Sequence, residues 1–291
     1  MASVQVRSTA TELTRAQRRA RDWAEIQERM LVPLYEAVYH RLEVGPGTTV
    51  LGLGCRSGLA LLLAAARGAE VAGLEPKGEL RSLAQGRQLR VLADVHRDAS
   101  PGTPPTTHSL VTAFENLYCA ADPQALVRSA ARLTLRGGHV VLATWGPPER
   151  CQSAGVLNVA RRLAGPERSA AGPSTSGPPT PGPSTPGRSV PESSDVFDPF
   201  ALSAPGALEE LVTGAGLRPD GGGRVSCPFA YPDLESAVRG LLSTGAYDAA
   251  ARFSGERQVV KELAEALHPY LRHDGTVRMA NVFRYVIALS V

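Results

Sequence analysis

Lysine is nearly absent from this chain. Lys77 and Lys261 are the only two, so arginine supplies almost all of the 31 basic residues that stand against 28 acids. Both signs are mixed along the sequence and the formal net charge is +3, so no single-sign field exists to draw in a nucleic acid. The densest basic run, RAQRRARDWAEIQER, is interleaved with Asp22, Glu25 and Glu28 and reads as a solvated helix face. Cys55, Cys119, Cys151 and Cys227 lie far apart with no C-x-x-C pair, which argues against a disulfide framework and a zinc site. His40, His96, His108, His139, His268 and His273 form no constellation, and the last two stand at i, i+5, off a common helix face. No metal is expected. The longest apolar run, LALLLAAA from Leu59, is far short of a membrane span. The opening MASVQVRSTATEL holds no apolar signal segment. The expectation is a cytoplasmic protein without membrane contact.

What is present is an ordinary globular composition, 43% hydrophobic and 20% charged. One stretch departs from it. Proline and glycine make up 13 of the 31 residues from 165 to 195, where GPSTSGPPTPGPSTPG repeats itself. So little apolar surface cannot offset the entropy of ordering, and a disordered surface insertion is expected there.

Around that segment the pattern is periodic. Arg15 to Arg29 and Pro33 to Leu42 have helical spacing, and GPG at 45–47 ends the second helix. Short apolar strands then alternate with alanine-rich helices. TVLGL, EVAGLE, LRVLAD, HSLVTAFE and GGHVVLATW read as strands, with helices at Leu59 to Arg67, Glu79 to Gly86 and Pro123 to Leu133. Such alternation predicts an α/β fold of the Rossmann-like, doubly wound kind, its mostly parallel sheet covered on both faces. After the insertion come a helix stopping at Gly214 or Gly216, a strand near Arg224 to Ala230, two helices from Asp233 and Glu256, and a last strand, VRMANVFRYVIALSV. Both faces of that last strand are mostly apolar, which places it inside the sheet. The expected organisation is therefore 1–47 as N-terminal helices, 48–164 as one half of the main domain, 165–195 as the insertion and 196–291 as the other half.

The chemistry-bearing motif is TVLGLGCRSG, at the first strand-to-helix turn, where doubly wound sheets bind ligands. Gly54 and Gly58 let the backbone turn tightly and approach a ligand, and the following helix aims its first N–H groups there. Glu75 ends the second strand, 21 residues after Gly54. An acid at that place accepts hydrogen bonds from both ribose hydroxyls, so the pattern points to a nucleoside-bearing cofactor. The G-x-G-x-x-x-G spacing also suits a dinucleotide, but two helices precede the first strand and no nicotinamide-site pattern follows.

VLGLGCRSGLALLLAAARGAEVAGLE, ADPQALVRSAARLTLRGGHVVLATWGPPERC and DGTVRMANVFRYVIALSV together resemble class I S-adenosylmethionine-dependent methyltransferases of the ubiquinone-biosynthesis-like, small-molecule group. The resemblance spans nearly the whole chain apart from the insertion. It implies a seven-stranded sheet, S-adenosyl-L-methionine as cofactor, a small-molecule acceptor, and N-terminal helices serving as a lid. By that resemblance Gly54 and Gly58 belong to the donor loop, Glu75 to the ribose and Asp94 to the adenine amino group. Glu115, Asn116 and Tyr118 fall where donor and acceptor meet, and Trp145 walls the acceptor pocket. Trp23 and Tyr35, with Met30, form a packing stripe on the lid helices and face the same acceptor. No general base is assigned. A homodimer is left open as an assembly.

The departures from the family pattern are specific. Gly52 stands where the loop usually carries an acid and Arg56 where it carries its middle glycine, a change of two charge units toward positive in a site for a cation-bearing ligand. Ser109 replaces an aspartate near the start of strand four, and RLTLRGG lacks a proline. Arg56 has three readings: it faces solvent, it pairs with the donor's carboxylate, or it marks a decayed site. Glu115 is either a site residue or a helix cap. The corresponding functions are methyl transfer, an inactive methyltransferase-like protein serving as a binding, regulatory or scaffold partner, or use of the fold for non-methylating chemistry.

Overall fold

The computed structural model describes residues 13–94, 107–114, 116–165 and 198–291, and only the backbone of Tyr118. The low-complexity segment expected at 165–195 therefore lies outside the described residues except for Gly165, as do Glu115 and His96.

The chain enters through α1 (Arg15–Asp22), a single π turn (Trp23–Gln27), a tight 3₁₀ turn (Glu28–Leu31) and α2 (Val32–Arg41). Thr14 caps α1 in a capping box, exchanging hydrogen bonds with Gln17. Strands β1 (Thr49–Leu53), β2 (Glu70–Leu74), β3 (Val91–Leu92), β4 (His108–Ala113) and β5 (Thr134–Trp145) follow, with α3 (Leu59–Ala65), α4 (Gly78–Gly86) and α5 (Pro123–Arg132) crossing between them. Asp122 caps α5 by accepting from the Ala125 N–H at 2.8 Å, and Pro123 suits the first turn because it lacks a donor. The remainder is α6 (Ser153–Leu163), α7 (Ala207–Gly214), β6 (Leu217–Ser226), β7 (Phe229–Tyr231), α8 (Leu234–Ser243), α9 (Asp248–Ser254), α10 (Glu256–Leu267), β8 (Val277–Met279) and β9 (Val282–Ser290).

Seven strands form one sheet in the order β3-β2-β1-β4-β5-β9-β6. The first five are mutually parallel, and β9 runs antiparallel to both neighbours. This is the Rossmann-like α/β sheet expected from the alternating pattern, with the last strand inside it. One apolar cluster fills the face toward α2, α3, α6 and α8, including Leu34, Tyr35, Leu61, Val156 and Leu241. A second fills the face toward α5 and α7, including Val111, Val127, Leu142 and Leu208. Each fully buried leucine contributes roughly 1.5–3 kcal/mol, so the two clusters clamp the sheet from both sides.

The C-terminal half differs from the sequence reading in detail. The expected strand at 224–230 is two strands, because Pro228, which has no N–H to donate, separates β6 from β7. β7 pairs with β8 in a separate two-stranded sheet. Two expected helices are three, broken at Gly245 (φ 83°) and Gly255 (φ 85°). Ser109 has a structural use: its Oγ accepts from the Thr49 N–H at 2.9 Å, and its own N–H donates to Thr49 Oγ1 at 2.8 Å, stitching β4 to β1. Among the described residues no helix is long and apolar enough to cross a membrane. None of them group three or more histidine, cysteine or acid side chains suited to a metal.

Candidate functional site

β1 ends at Leu53, and the chain turns into α3 through Gly54 (φ 59°), Arg56 (φ 54°) and Gly58 (φ 88°). Three alternate residues thus take the left-handed conformation. It is easy for glycine and costs an arginine roughly 1–2 kcal/mol. The loop is pinned to β2. The Cys55 N–H donates to the Leu74 carbonyl at 3.1 Å, and the Arg56 N–H donates to Glu75 Oε2 at 2.9 Å. Glu75 Oε1 accepts from the Lys77 N–H at 2.9 Å, so both carboxylate oxygens are engaged and the residue is only 2% exposed.

Arg56 is 5% exposed, and its guanidinium lies 5.0 Å from the centre of the Trp23 ring. The solvent-facing reading of this arginine is therefore overturned. The π turn brings Trp23 over the loop, and the cation is attracted to the aromatic face, an interaction of about 0.5–2 kcal/mol. Glu28 is a second correction. Expected on a solvated face, it is 1% exposed, accepting from the Leu59 N–H of α3 at 3.1 Å and from Arg87 Nη1 at 3.0 Å. A protein carboxylate thus occupies the first turn of the helix that follows the glycine loop. The reading as a solvated face assumed uniform helical period, which the π and 3₁₀ turns break.

Two further positions are closed by packing. A Cβ on Gly54 would fall 2.5–2.8 Å from the Asn116 side chain. One on Gly52 would meet Cys55 Cβ at 3.1 Å and Leu61 Cδ2 at 3.2 Å. Where the family pattern has an acid, a side chain here would need Cys55 and Leu61 to give way by a few tenths of an ångström. Burial, aided by the nearby charge of Glu75, pushes the Cys55 thiol up to about 12, so it stays protonated at neutral pH. Asp94 follows β3 as an exposed residue.

On the other side of the lid, Trp145 ends β5 at 5% exposure, with ring centres of Phe283, Phe229 and Phe200 at 4.5, 5.6 and 5.7 Å. A cavity of about 20 Å³ remains between this wall and the lid, lined by Trp23, Gln27, Leu31, Trp145, Phe229 and Phe283 among others. Trp23 and Trp145 both line it. Tyr35 instead packs against Phe114, ring centres 5.1 Å apart, and lies outside the cavity lining. A roomier hollow of about 250 Å³ lies at the opposite, amino ends of β1 and β4, among Thr48, Ser109, Leu135 and His139. Doubly wound sheets bind at the carboxyl ends, so the smaller cavity is the relevant one.

The loop conformation and the acid at the end of β2 fit the nucleoside part of S-adenosylmethionine in kind. The methionine end is another matter, because Arg56, Asn116 and Glu28 are packed around the loop and no acid stands at Gly52. The frame fits, and side chains close it.

Residues 15–165, more than half of the chain, match the model of a family described as a methyltransferase domain, and the chain belongs to that family. It is 33% identical over 107 residues to the ubiquinone biosynthesis O-methyltransferase of Aliivibrio fischeri (strain MJ11), covering 34% of this chain and 44% of that protein. The Vibrio cholerae protein of the same name (strain M66-2) is also 33% identical over 107 residues, covering 34% and 42%. The matched part spans less than half the length of these curated relatives. The crystal structure of YcgJ from Bacillus subtilis superposes with a TM-score of 0.52 at 14% identity, covering 88% of this chain and 97% of that one, a likeness of fold.

Proposed function

We propose that this protein transfers a methyl group from S-adenosylmethionine to a small apolar or aromatic acceptor, from a site that rests closed over Arg56. The observation that carries this reading is the loop backbone. Arg56 keeps the left-handed conformation between Gly54 and Gly58, so the substitution adds a side chain to the donor loop without remaking it.

The donor, when bound, supplies an activated methyl on a sulfonium. This chain's residues would bind and position. Glu75 holds the loop and would meet the ribose once the closed loop opens, Asp94 and Glu115 belong to the same donor side, and Trp145 with Trp23 walls the acceptor. Tyr118 is assigned to the acceptor and Tyr35 to the packing behind it. No residue is assigned as a base. Cytoplasmic location, action without nucleic acid and a homodimeric assembly complete the proposal.

Calorimetric titration with S-adenosylmethionine and S-adenosylhomocysteine tests it. Arg56→Gly should tighten binding by at least about tenfold, near 1.4 kcal/mol. If the arginine instead pairs with the donor's carboxylate, the same change weakens binding by about 1.5–3 kcal/mol. Absence of binding at millimolar concentration by both the chain and the variant would defeat the enzyme reading.

A second reading has its own observation. The room for an acid at Gly52 is narrowed by Cys55 and Leu61, which favours a member of the family that has given up the donor and acts as a binding, regulatory or scaffold partner. Under that reading Arg56→Gly leaves the protein silent to both ligands.

A further inference from the structure

Two neighbouring residues tie the N-terminal segment in two directions, and both are buried. Gln27 Oε1 accepts from the Tyr231 hydroxyl of β7 at 2.9 Å, while Glu28 accepts from the Leu59 N–H of α3 at 3.1 Å and from Arg87 at 3.0 Å. The ties are unequal. Toward β7 and α8 the segment joins the main core, where Ile26, Met30 and Leu31 share one apolar cluster with Phe229, Tyr231 and Leu241. A Cβ on Gly240 of α8 would lie 3.0 Å from both Ile26 Cγ2 and Gln27 Oε1, so that contact is close. Toward α4 the segment has a small separate cluster, Ala20 and Trp23 with Leu80. On that side a buried charge carries the attachment.

From this asymmetry we propose that Glu28 is the bolt of a conformational latch, which holds residues 15–31 down on the glycine loop and whose release parts them from α3 and α4 while they stay with β7 and α8. The seated carboxylate has a defined keep. The Leu59 N–H is a first-turn donor that α3 cannot satisfy itself, and Arg87 Nη1 donates to the Ser57 carbonyl at 2.8 Å as well as to Glu28. One side chain thus fixes the exit of the loop and the start of the helix together. Drawing the bolt is the cheaper opening, because Arg87 is partly exposed and turns to solvent, and the carboxylate regains its hydration. Opening on the other side would strip a buried tyrosine hydroxyl and empty core contacts. The ion pairs of Arg15 with Glu256 and of Asp22 with Arg239 reach α10 and α8, so they travel with the moving part. While the bolt is seated, Trp23 stays over Arg56 and the loop is covered. On the methyl-transfer reading, on which this consequence rests, the latch sets the fraction of molecules able to take up the donor.

Amide hydrogen exchange of the full chain reads the latch without any ligand. The Leu59 N–H reports the seated bolt, the Arg56 N–H held by Glu75 is the reference in the same loop, and the amides of α8 report the other side. Glu28→Gln keeps the shape and removes the charge, and Arg87→Gln weakens the bolt from its partner's side. Each should speed Leu59 exchange about tenfold while the Arg56 and α8 amides keep their rates. An unchanged Leu59 rate, or α8 amides that accelerate as much as Leu59, would overturn the latch, the second result because the segment would then be loosening as a whole. Should both variants fail to fold, the unaltered chain still decides: Leu59 must exchange faster than the α8 amides, and equal rates overturn the proposal. Titration with S-adenosylmethionine then separates the two readings. Faster Leu59 exchange in Glu28→Gln together with donor binding tightened by at least about threefold upholds both. Faster exchange without donor binding upholds the latch and counts against methyl transfer, and donor binding with Leu59 unmoved overturns the latch alone.

Discussion

The two buried carboxylates beside the glycine loop and the two buried indoles of the aromatic wall are served in opposite ways. Beside the glycine loop, Glu75 accepts from two backbone N–H groups, and Glu28 accepts from α3 and from Arg87. The protein satisfies these groups itself. Around Trp145 the wall is aromatic, and the indole N–H groups of Trp145 and Trp23 have no partner among the described residues. A site whose polar atoms serve one another is part of the fold, and a ligand must compete with the fold to enter. A site whose polar atoms are unserved gains by being filled.

If this contrast is right, removing a polar atom should be costly on one side and nearly free on the other. Glu75→Ala strips the acceptor from two backbone N–H groups, that of buried Arg56 and that of Lys77, and should lower stability by about 2–4 kcal/mol, read from the midpoint of urea unfolding. A loss under about 1 kcal/mol would mean that water replaces the carboxylate and that the donor side is more open than its burial implies. Glu28→Ala should cost less, about 1–2 kcal/mol, because Arg87 is partly exposed and can turn to solvent. An unchanged midpoint would free the lid from any role in holding α3.

The Cys55 thiol sharpens the contrast through pH. Its folded pKa is raised, from 9.0 to about 12, so its contribution is complete below pH 9 and is lost as pH rises toward 12. At pH 10 the folded protein should be weaker by about 1.4 kcal/mol on this account, and Cys55→Ala should remove that share of the alkaline slope. A slope indifferent to Cys55 would show that the loop opens to water. The smallest effect belongs to the acceptor side: Trp145→Phe should change stability by less than about 1 kcal/mol, since the lost ring volume is offset by removing an unpaired donor. A loss as large as that for Glu75→Ala would break the comparison.

Much of the frame was legible in the residues. TVLGL and EVAGLE read as apolar strands of a sheet covered on both faces, and Gly54 and Gly58 of GLGCRSG sit at left-handed turns that lead into α3. VFRYVIALSV lies between β5 and β6 for the same reason, its apolar side chains alternating to both faces. What could not be read was set by contacts distant in sequence. Glu28 looks like any helix-surface acid until the irregular turns rotate it inward, and Arg56 looks like a surface arginine until Trp23 covers it. The crowding of the space beside Gly52 by Cys55 and Leu61 depends on how α3 docks, which no local pattern encodes. Pro228 is the local signal for the split between β6 and β7.

The π turn at Trp23–Gln27 fits one more residue into its span than an α-helical turn would. It works as a phase shifter between two stretches of helix. Ahead of it, Arg15 and Arg19 are aimed at Glu256 and Asp248; behind it, Glu28 and Leu31 are aimed inward. Removing one residue, such as Ala24, would rotate the two stretches against each other by about 100°. Either the outer ion pairs or the inner contacts would then lose their partners. The lid's two attachments are thus geared through a single surplus residue, and the angle at which Trp23 meets Arg56 is set by a count along the chain.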